Sequence, residues 1–456
     1  MDFLFYMIFV EMKTLFYLFF IVFFFVINTV KSQVTTDTIK LPFAIAEEKK
    51  LGDEDLANKK EGLYVTGIPD ISSDPINGVG AGVEGSLFLN GKKSDPFFNY
   101  TPYRAEINLA IFYTTKAQRE IQLGIDVPYI FDTKWRFRGE ASYEVNPNLL
   151  YFGITTKSLN PLSYYPDNDS SKVPINKATY DQYENGLVGK AANYNTYQKE
   201  EAVLNLSLER SFLEGKLRTL VGYEIAYVNL TTPLNQYSLL LQDAMRNQIK
   251  GLGKNIVSFA QLGLIYDTRD LEPDPSSGSF AELTNELSLK ALGSQYNFNK
   301  TFFHYNYYQR VLPSIFKKVV FAGRVGMGYT AGDAPFYEYQ DQWSSEGSIE
   351  GLGGGTTLRG FKQSRFLGRI MEFTNIEFRC RFWQINTLKQ SFAFSLVPFT
   401  DIGGVWDSFN TLNFNNFRHS EGLGLRIAWN VNTIIRMDYA VSNEDHQFFF
   451  ALKHAF

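Results

Sequence analysis

The sequence predicts an all-β protein: a transmembrane antiparallel β-barrel of about sixteen strands, forming one barrel domain. Three observations carry this. Apolar and polar residues alternate along most of the 456-residue chain. Many alternating segments run to about 10–14 residues, beyond the usual soluble strand of about 5–6 and close to what a tilted membrane strand needs. The long connections follow odd strands, and those after even strands are short apart from Asp267–Gly278, as in barrels with short turns at one end and long loops at the other.

Composition narrows the class. Aromatic residues make up 16% and charged residues 20%, with a net charge of -4. Such a mixture suits elements that are aromatic on one face and polar on the other. The single Cys excludes a disulfide scaffold and a cysteine zinc cluster. Four scattered His exclude a His-rich metal site. A net charge near zero gives no electrostatic case for a nucleic-acid partner.

The amino terminus reads as an address. Met1 to Gln33 is the one long apolar run, with candidate starts at Met1 and Met12. From Met12 it has a basic start (Lys13), an apolar stretch Leu15–Ile27, then Val30 and Ser32. Residues 1–32 are therefore expected to be a secretory signal peptide. Glu11 and Lys13 interrupt the alternative, a membrane anchor. The polar stretch 33–81 is expected to be a periplasmic arm, and 82–456 the barrel. No other run approaches the roughly 20 apolar residues of a membrane helix. A membrane protein built without such helices must close as a barrel, because every backbone polar group needs a partner.

Trp135 to Val145 shows the pattern. Trp135, Phe137, Ala141, Tyr143 and Val145 share one face; Arg136, Arg138, Glu140, Ser142 and Glu144 share the other. Strands are expected at 82–90, 103–115, 119–130, 135–146, 149–158, 200–212, 217–230, 257–267, 279–292, 298–311, 317–331, 369–384, 391–402, 420–430, 433–442 and 446–456. The long connections are then 159–199, 231–256, 332–368 and 403–419. Ser238 to Lys250 is amphipathic and suits a short helix inside one of them. Tyr164, Tyr165, Tyr180, Tyr183, Tyr194 and Tyr197 fall in or near 159–199, as ordinary loop aromatics or an external contact. Cys380 alternates with Arg379 and Arg381, so it joins Phe378 and Phe382 as an outward apolar filler. The terminal Phe456 on an alternating last strand resembles the sorting signal of outer-membrane barrels.

Motifs for chemistry are missing. The sequence has no G-x-S-x-G and no H-E-x-x-H. Gly351–Gly355 is followed by Thr-Thr-Leu-Arg rather than Gly-Lys-Ser/Thr, which argues against a phosphate loop. Asp267 and Asp270 flank Arg269, a combination that favours a turn network over a metal pair. No enzyme activity, cofactor or metal is expected. The informative segment is Gly351-Leu-Gly-Gly-Gly-Thr-Thr-Leu-Arg-Gly-Phe361. Its glycines let the loop fold back, which would carry Arg359 into the lumen. There it would need a carboxylate. Asp401, alternating with Phe399 and Gly403, is one candidate; Glu377, sharing a face with Arg379, is the other. On spacing alone, the favoured reading of Arg359 is an Arg solvated in an exposed loop.

Leu358-Arg359-Gly360-Phe361 resembles the arginine–glycine–aromatic motif of the BamA/TamA surface-antigen superfamily. Further segments agree in order: Asp267-Thr-Arg269-Asp270 with Pro275 and Gly278; Phe399-Thr-Asp401-Ile-Gly403 with Trp406; Gly422-Leu-Gly-Leu-Arg426; and Arg436-Met-Asp-Tyr-Ala440. The resemblance covers about 267–456. It implies a sixteen-stranded barrel in the bacterial outer membrane that inserts or translocates protein or lipid substrates. It also implies that Arg359 pairs with Asp401 to pin the loop and support the seam between first and last strands. Outer-membrane lipid and periplasmic or outer-membrane protein partners follow from the same resemblance. Family members usually carry periplasmic client-binding domains of roughly 75 residues or more. Only about fifty residues separate Gln33 from the first expected strand, so a bare barrel with an arm is expected. A passive pore and a structural subunit of an envelope complex are the alternatives.

Overall fold

A computed structural model describes residues 40–74, 77–232, 238–312, 318–387 and 390–456. The expected signal peptide, 1–32, lies outside them. Sixteen antiparallel strands follow one another in sequence order around a single sheet. They are β1 (Leu63–Asp74), β2 (Gly78–Leu89), β3 (Ala105–Thr114), β4 (Arg119–Val127), β5 (Trp135–Leu150), β6 (Thr196–Phe212), β7 (Leu217–Thr231) and β8 (Gly253–Asp267). They continue as β9 (Gly278–Ser288), β10 (Phe298–Val311), β11 (Lys318–Gly332), β12 (Ile370–Thr387), β13 (Gln390–Trp406), β14 (Arg418–Trp429), β15 (Thr433–Val441) and β16 (His446–Leu452). Among the described residues, no helix is long and apolar enough to cross a membrane.

The distribution of polarity is inverted relative to a soluble protein. On β6, Leu206 and Leu208 are exposed while Ser207 and Glu209 are buried. On β8, Leu262, Leu264 and Tyr266 are exposed while Gln261 and Asp267 are buried. An apolar exterior around a polar interior is the mark of a lipid-facing barrel. Arg136, Arg138, Glu140, Ser142 and Glu144 of β5 line the lumen, as their alternation predicts.

Two strand assignments need correction, and they cancel in the count. The first strand is β1, which lies inside the segment expected to be a polar arm, so the barrel begins at Leu63 and not at 82. Its Gly67, Pro69, Asp70 and Asp74 disguise it. An edge strand tolerates Pro because one side of its backbone has no ladder to serve. Conversely, 149–158 is not a separate strand. β5 runs on to Leu150 through a register shift between Asn146 and Leu149. Asn146-Pro147-Asn148 looks like a turn in sequence but is accommodated as a bulge.

The expected segregation of connections holds only for the longest ones. The three longest, 151–195, 232–252 and 333–369, follow odd strands, as does 407–417, but 90–104 after β2 is longer than the last of these and 268–277 after β8 nearly equals it. The longest build a roof over one end. Tyr151, Tyr197, Leu240, Phe336 and Tyr337 pack into one cluster, and Tyr180 and Tyr183 into another with Phe152. These tyrosines are mostly interior packing groups; Tyr165 is exposed. A helix forms at Leu239–Met245, within the amphipathic stretch.

The sheet ends without closing. β1 and β16 are its two terminal strands, and no ladder joins them among the described residues. β16 stops at Leu452, so the last strand does not extend to Phe456 as expected. Lys453 adopts φ 71°, and the tail turns into the lumen. There Phe456 stacks against Tyr308 at 6.4 Å between ring centroids. The guanidiniums of Arg324 and Arg379 lie 4.9 and 5.3 Å from the Phe456 ring. Arg324 Nη1 donates to Ala455 O (3.1 Å) and Arg379 Nη2 to Phe456 O (2.8 Å). Where the tail departs, β1 meets the start of β15 through side chains: Thr433 Oγ1 donates to Thr66 Oγ1 at 3.0 Å, and Asn430 Nδ2 to Tyr64 Oη at 2.8 Å.

Candidate functional site

The connection 333–369 folds back into the lumen instead of standing above the barrel. A two-residue ladder pairs Asp341–Gln342 with Ile349–Glu350, and Leu352 bridges Phe366. Leu352, Leu358, Phe361 and Phe366 then pack against Phe373 of β12, Val405 of β13 and Phe302 of β10. This apolar patch seats the loop on the wall. Gly403 makes the seat possible: a Cβ there would lie 2.3 Å from Leu352 Cδ1.

The loop delivers Arg359, which is wholly buried. Its Nε donates to Asp401 Oδ2 at 2.8 Å and its Nη2 to Asp401 Oδ1 at 2.9 Å. That is the two-pronged geometry in which Arg is strongest. The Arg359 backbone N–H adds a third bond to Asp401 Oδ2, 3.1 Å. Nη1 reaches Glu377 Oε1 (2.8 Å) and Asp438 Oδ2 (2.9 Å). The Phe399 ring lies 3.5 Å from the guanidinium carbon. Asp401, Glu377 and Asp438 are themselves fully buried. Both carboxylates proposed from sequence therefore meet Arg359, and the two alternatives turn out to be joint partners.

Sequence reasoning missed several members. Asp438 on β15 and Arg426 on β14 complete the network, with Arg426 Nη2 3.2 Å from Glu377 Oε1. Arg379 Nε donates to Glu377 Oε2 at 3.0 Å. Asn375 Nδ2 bonds both Thr357 O (2.6 Å) and Asp401 Oδ1 (2.7 Å). Arg436 holds Gly355 O at 2.8 Å. All of these sit at inward positions of alternating strands, so period-two reading could have placed them in the lumen but not on one another. Gly360, at φ 91°, brings the loop within reach of Ser442, whose Oγ donates to Gly360 O at 2.7 Å.

The turn motif behaves as its spacing suggests. Asp270 Oδ1 accepts from Ser276 N (2.8 Å) and Ser277 N (3.1 Å), closing the β8–β9 turn. Asp267 accepts from Arg269 Nε at 3.1 Å. Arg269 Nη1 in turn reaches Glu346 Oε2 of the luminal loop at 3.2 Å. Among the described residues there is no group of three or more His, Cys, Asp or Glu that could hold a metal. Cys380 is half-buried beside exposed Phe378 and Phe382, as its alternation predicts.

Beside the pinned loop lies a cavity of about 1420 Å³. Consecutive residues Phe448, Phe449 and Phe450 of β16 all border it. Gly124–Asp126 of β4 and Arg138–Glu140 of β5 border it in the same way.

Fold and loop together define an outer-membrane β-barrel whose lumen is partly filled by an arginine-pinned loop. The chain belongs to the Omp85 superfamily: residues 101–456 match the Omp85 superfamily domain. Residues 41–104 match a domain of unknown function, DUF5982. Similar solved structures include BamA from Haemophilus ducreyi lacking POTRA domains 1–3, at 15% identity and TM-score 0.49, covering 86% of this chain and 70% of that one. CdiB from Escherichia coli is 11% identical, with TM-score 0.48, covering 86% of this chain and 60% of that one. CdiB from Acinetobacter baumannii is also 11% identical, with TM-score 0.44 and the same 86% and 60% coverage. No curated protein matches the sequence. The described residues hold the barrel and an arm, with no separate periplasmic domain among them.

Proposed function

We propose that this protein works in the bacterial outer membrane as an assembly or translocation barrel, passing protein or lipid substrates along the seam between β1 and β16 without a chemical reaction. The observation that carries the reading is the unclosed sheet. β1 presents a free edge, and β16 is drawn inward by its tail, so the cavity borders the seam. A free strand edge is a template for another strand, and strand addition is a general mode of peptide recognition. The pinned loop, through Arg359, Asp401, Glu377 and Asp438, shapes the lumen behind that edge and keeps it rigid. Asp267, Arg269 and Asp270 set the turn that supports the loop from the other end. Phe456 is available as a sorting signal only before its tail docks. The roof of long loops argues against a passive pore.

The test is depletion in the native host, with every outer-membrane protein and the lipid composition measured from the same cells. The reading expects selective loss of surface or barrel proteins, or a shift in outer-leaflet lipid. Complementation with Thr66→Cys/Thr433→Cys, in a Cys380→Ala background, should fail under oxidising conditions and succeed after reduction. An unchanged proteome and lipid profile, or full complementation by the oxidised variant, overturns it.

A further inference from the structure

The arm before β1 does not hang free. It crosses the short-turn end of the barrel. Phe43 packs on Phe97 and Tyr129, with centroids 5.5 and 5.7 Å away. Ala46 N donates to Glu214 O at 2.8 Å, and Leu51 N to Asn99 O at 2.8 Å. Leu51 is buried with Leu271 and Val431. Glu54 meets Arg381 Nη1 at 3.0 Å, and Lys59 Nζ donates to Thr101 O at 2.7 Å. These partners lie on the turns after β2, β4, β6, β8 and β14 and on the wall strand β12. A segment that touches turns all round a ring must span the opening. A cavity of only about 60 Å³ remains between Lys49, Leu51 and the turns beneath them.

One contact goes deeper. Lys49 Nζ lies 3.1 Å from Asp267 Oδ1. Asp267, fully buried, also holds Arg269 and, at 3.3 Å, Arg218. Arg269 divides its guanidinium between Asp267 and Glu346 of the luminal loop. A chain of alternating charge therefore runs from the arm to the loop: Lys49, Asp267, Arg269, Glu346. The loop descends from the roof end and the arm lies at the opposite end, so this chain links the two seals of the lumen.

We propose that residues 41–62 form a displaceable strap that seals the short-turn mouth, and that its docking sets the position of loop residues 343–350 through Lys49, Asp267, Arg269 and Glu346. Withdrawing Lys49 removes one of three cations at Asp267 and leaves Arg218 and Arg269 to neutralise it. Arg269 is then drawn toward Asp267 and away from Glu346, so the loop loosens at Glu346 while Glu282 still holds Ser344 and Ser345 and Arg359 holds the far end. Coupling of this kind is reciprocal: loosening the loop at Glu346 must also weaken the strap. The inference goes beyond the proposed function and does not rest on it, since it concerns only how two segments of this chain bias each other.

The experiment is hydrogen–deuterium exchange of the full chain in lipid nanodiscs. Lys49→Ala/Leu51→Asp should raise exchange in 41–62 and also in 343–350, by about tenfold, within the usual range of coupling between sites. Glu346→Gln should raise exchange in 343–350 and, by reciprocity, in 41–62. In a Cys380→Ala background, a Leu51→Cys/Leu271→Cys disulfide should slow 343–350 below the wild type, and reduction should restore it. This locked variant keeps the test decisive if the undocking variant fails to fold. The proposal is overturned if the strap exchanges at random-coil rates in the wild type, or if locking and unlocking it leave 343–350 unchanged.

Discussion

Arg359 and Asp401 form a two-pronged ion pair, 2.8 and 2.9 Å long, with neither side chain exposed to solvent. One partner rides on a loop and the other on a barrel strand, so the pair converts a flexible connection into part of the wall. Glu377 and Asp438 touch the same guanidinium but keep Arg379 and Arg426 as further partners, so Asp401 is the buried carboxylate that depends on it.

Removing that cation is therefore costly. Arg359→Ala should destabilise the barrel by about 3–5 kcal/mol, the usual price of leaving buried charge uncompensated. Arg359→Lys keeps a charge but loses the fork, and should fall between the two. Unfolding in detergent and protease cleavage within 351–361 check this order.

Gly403→Val should act on the same loop from the wall. A side chain there meets Leu352 at its Cβ, so the loop must lift or β13 must shift, at about 1–3 kcal/mol. The variant should fold and yet be cleaved in the loop faster than the wild type. An unaltered cleavage rate would show that Leu352 does not seat on β13.

The tail offers a separate handle. Arg379→Ala and Phe456→Ala remove the polar and the aromatic halves of its docking site. Each should release residues 453–456 and make them substrates for a carboxypeptidase that spares the wild type. Resistance equal to the wild type in both variants would refute the docked tail.

Docking of the arm should depend on pH through Asp55, in the helix Asp53–Asn58. Burial pushes its carboxyl up to about 6; Lys318 opposes this, while Asp274, Glu54 and Asp270 add to it. A carboxyl raised in the docked state favours docking fully below its free value near 3.8 and loses that contribution as pH rises through about 6. Protection of 41–62 from protease should thus be greater at pH 5 than at pH 7.5. Asp55→Asn should flatten the difference.

Much of this was legible in the sequence, for physical reasons that also explain the failures. Period-two alternation marks long strands well, and Arg136 or Leu206 could be assigned to a face without a structure. It fails where a strand departs from its own rules. Pro69 and Gly67 sit on an edge strand that needs fewer ladder bonds, and Pro147 sits in a bulge. The site was half legible. On spacing alone Arg359 reads as a solvated loop residue, and its pairing with Asp401 comes only through the family resemblance, with Glu377 as a second candidate. Asp438 and Arg426 looked the same as any other inward charge, because which strands face one another across a lumen is a property of closure, not of local pattern. The inward turn after Leu452 had no sequence signal: Lys453 is an unremarkable residue holding a positive φ, and only the docking of Phe456 accounts for it.

The most direct test of the account is photo-crosslinking from the seam in living cells, with a crosslinker at Val65, which faces outward on β1. The account predicts adducts with other envelope proteins or lipid, and few with residues 446–452 of the same chain. Adducts confined to 446–452 would mean that β1 and β16 pair in the membrane, and the open seam on which the proposed function rests would be wrong.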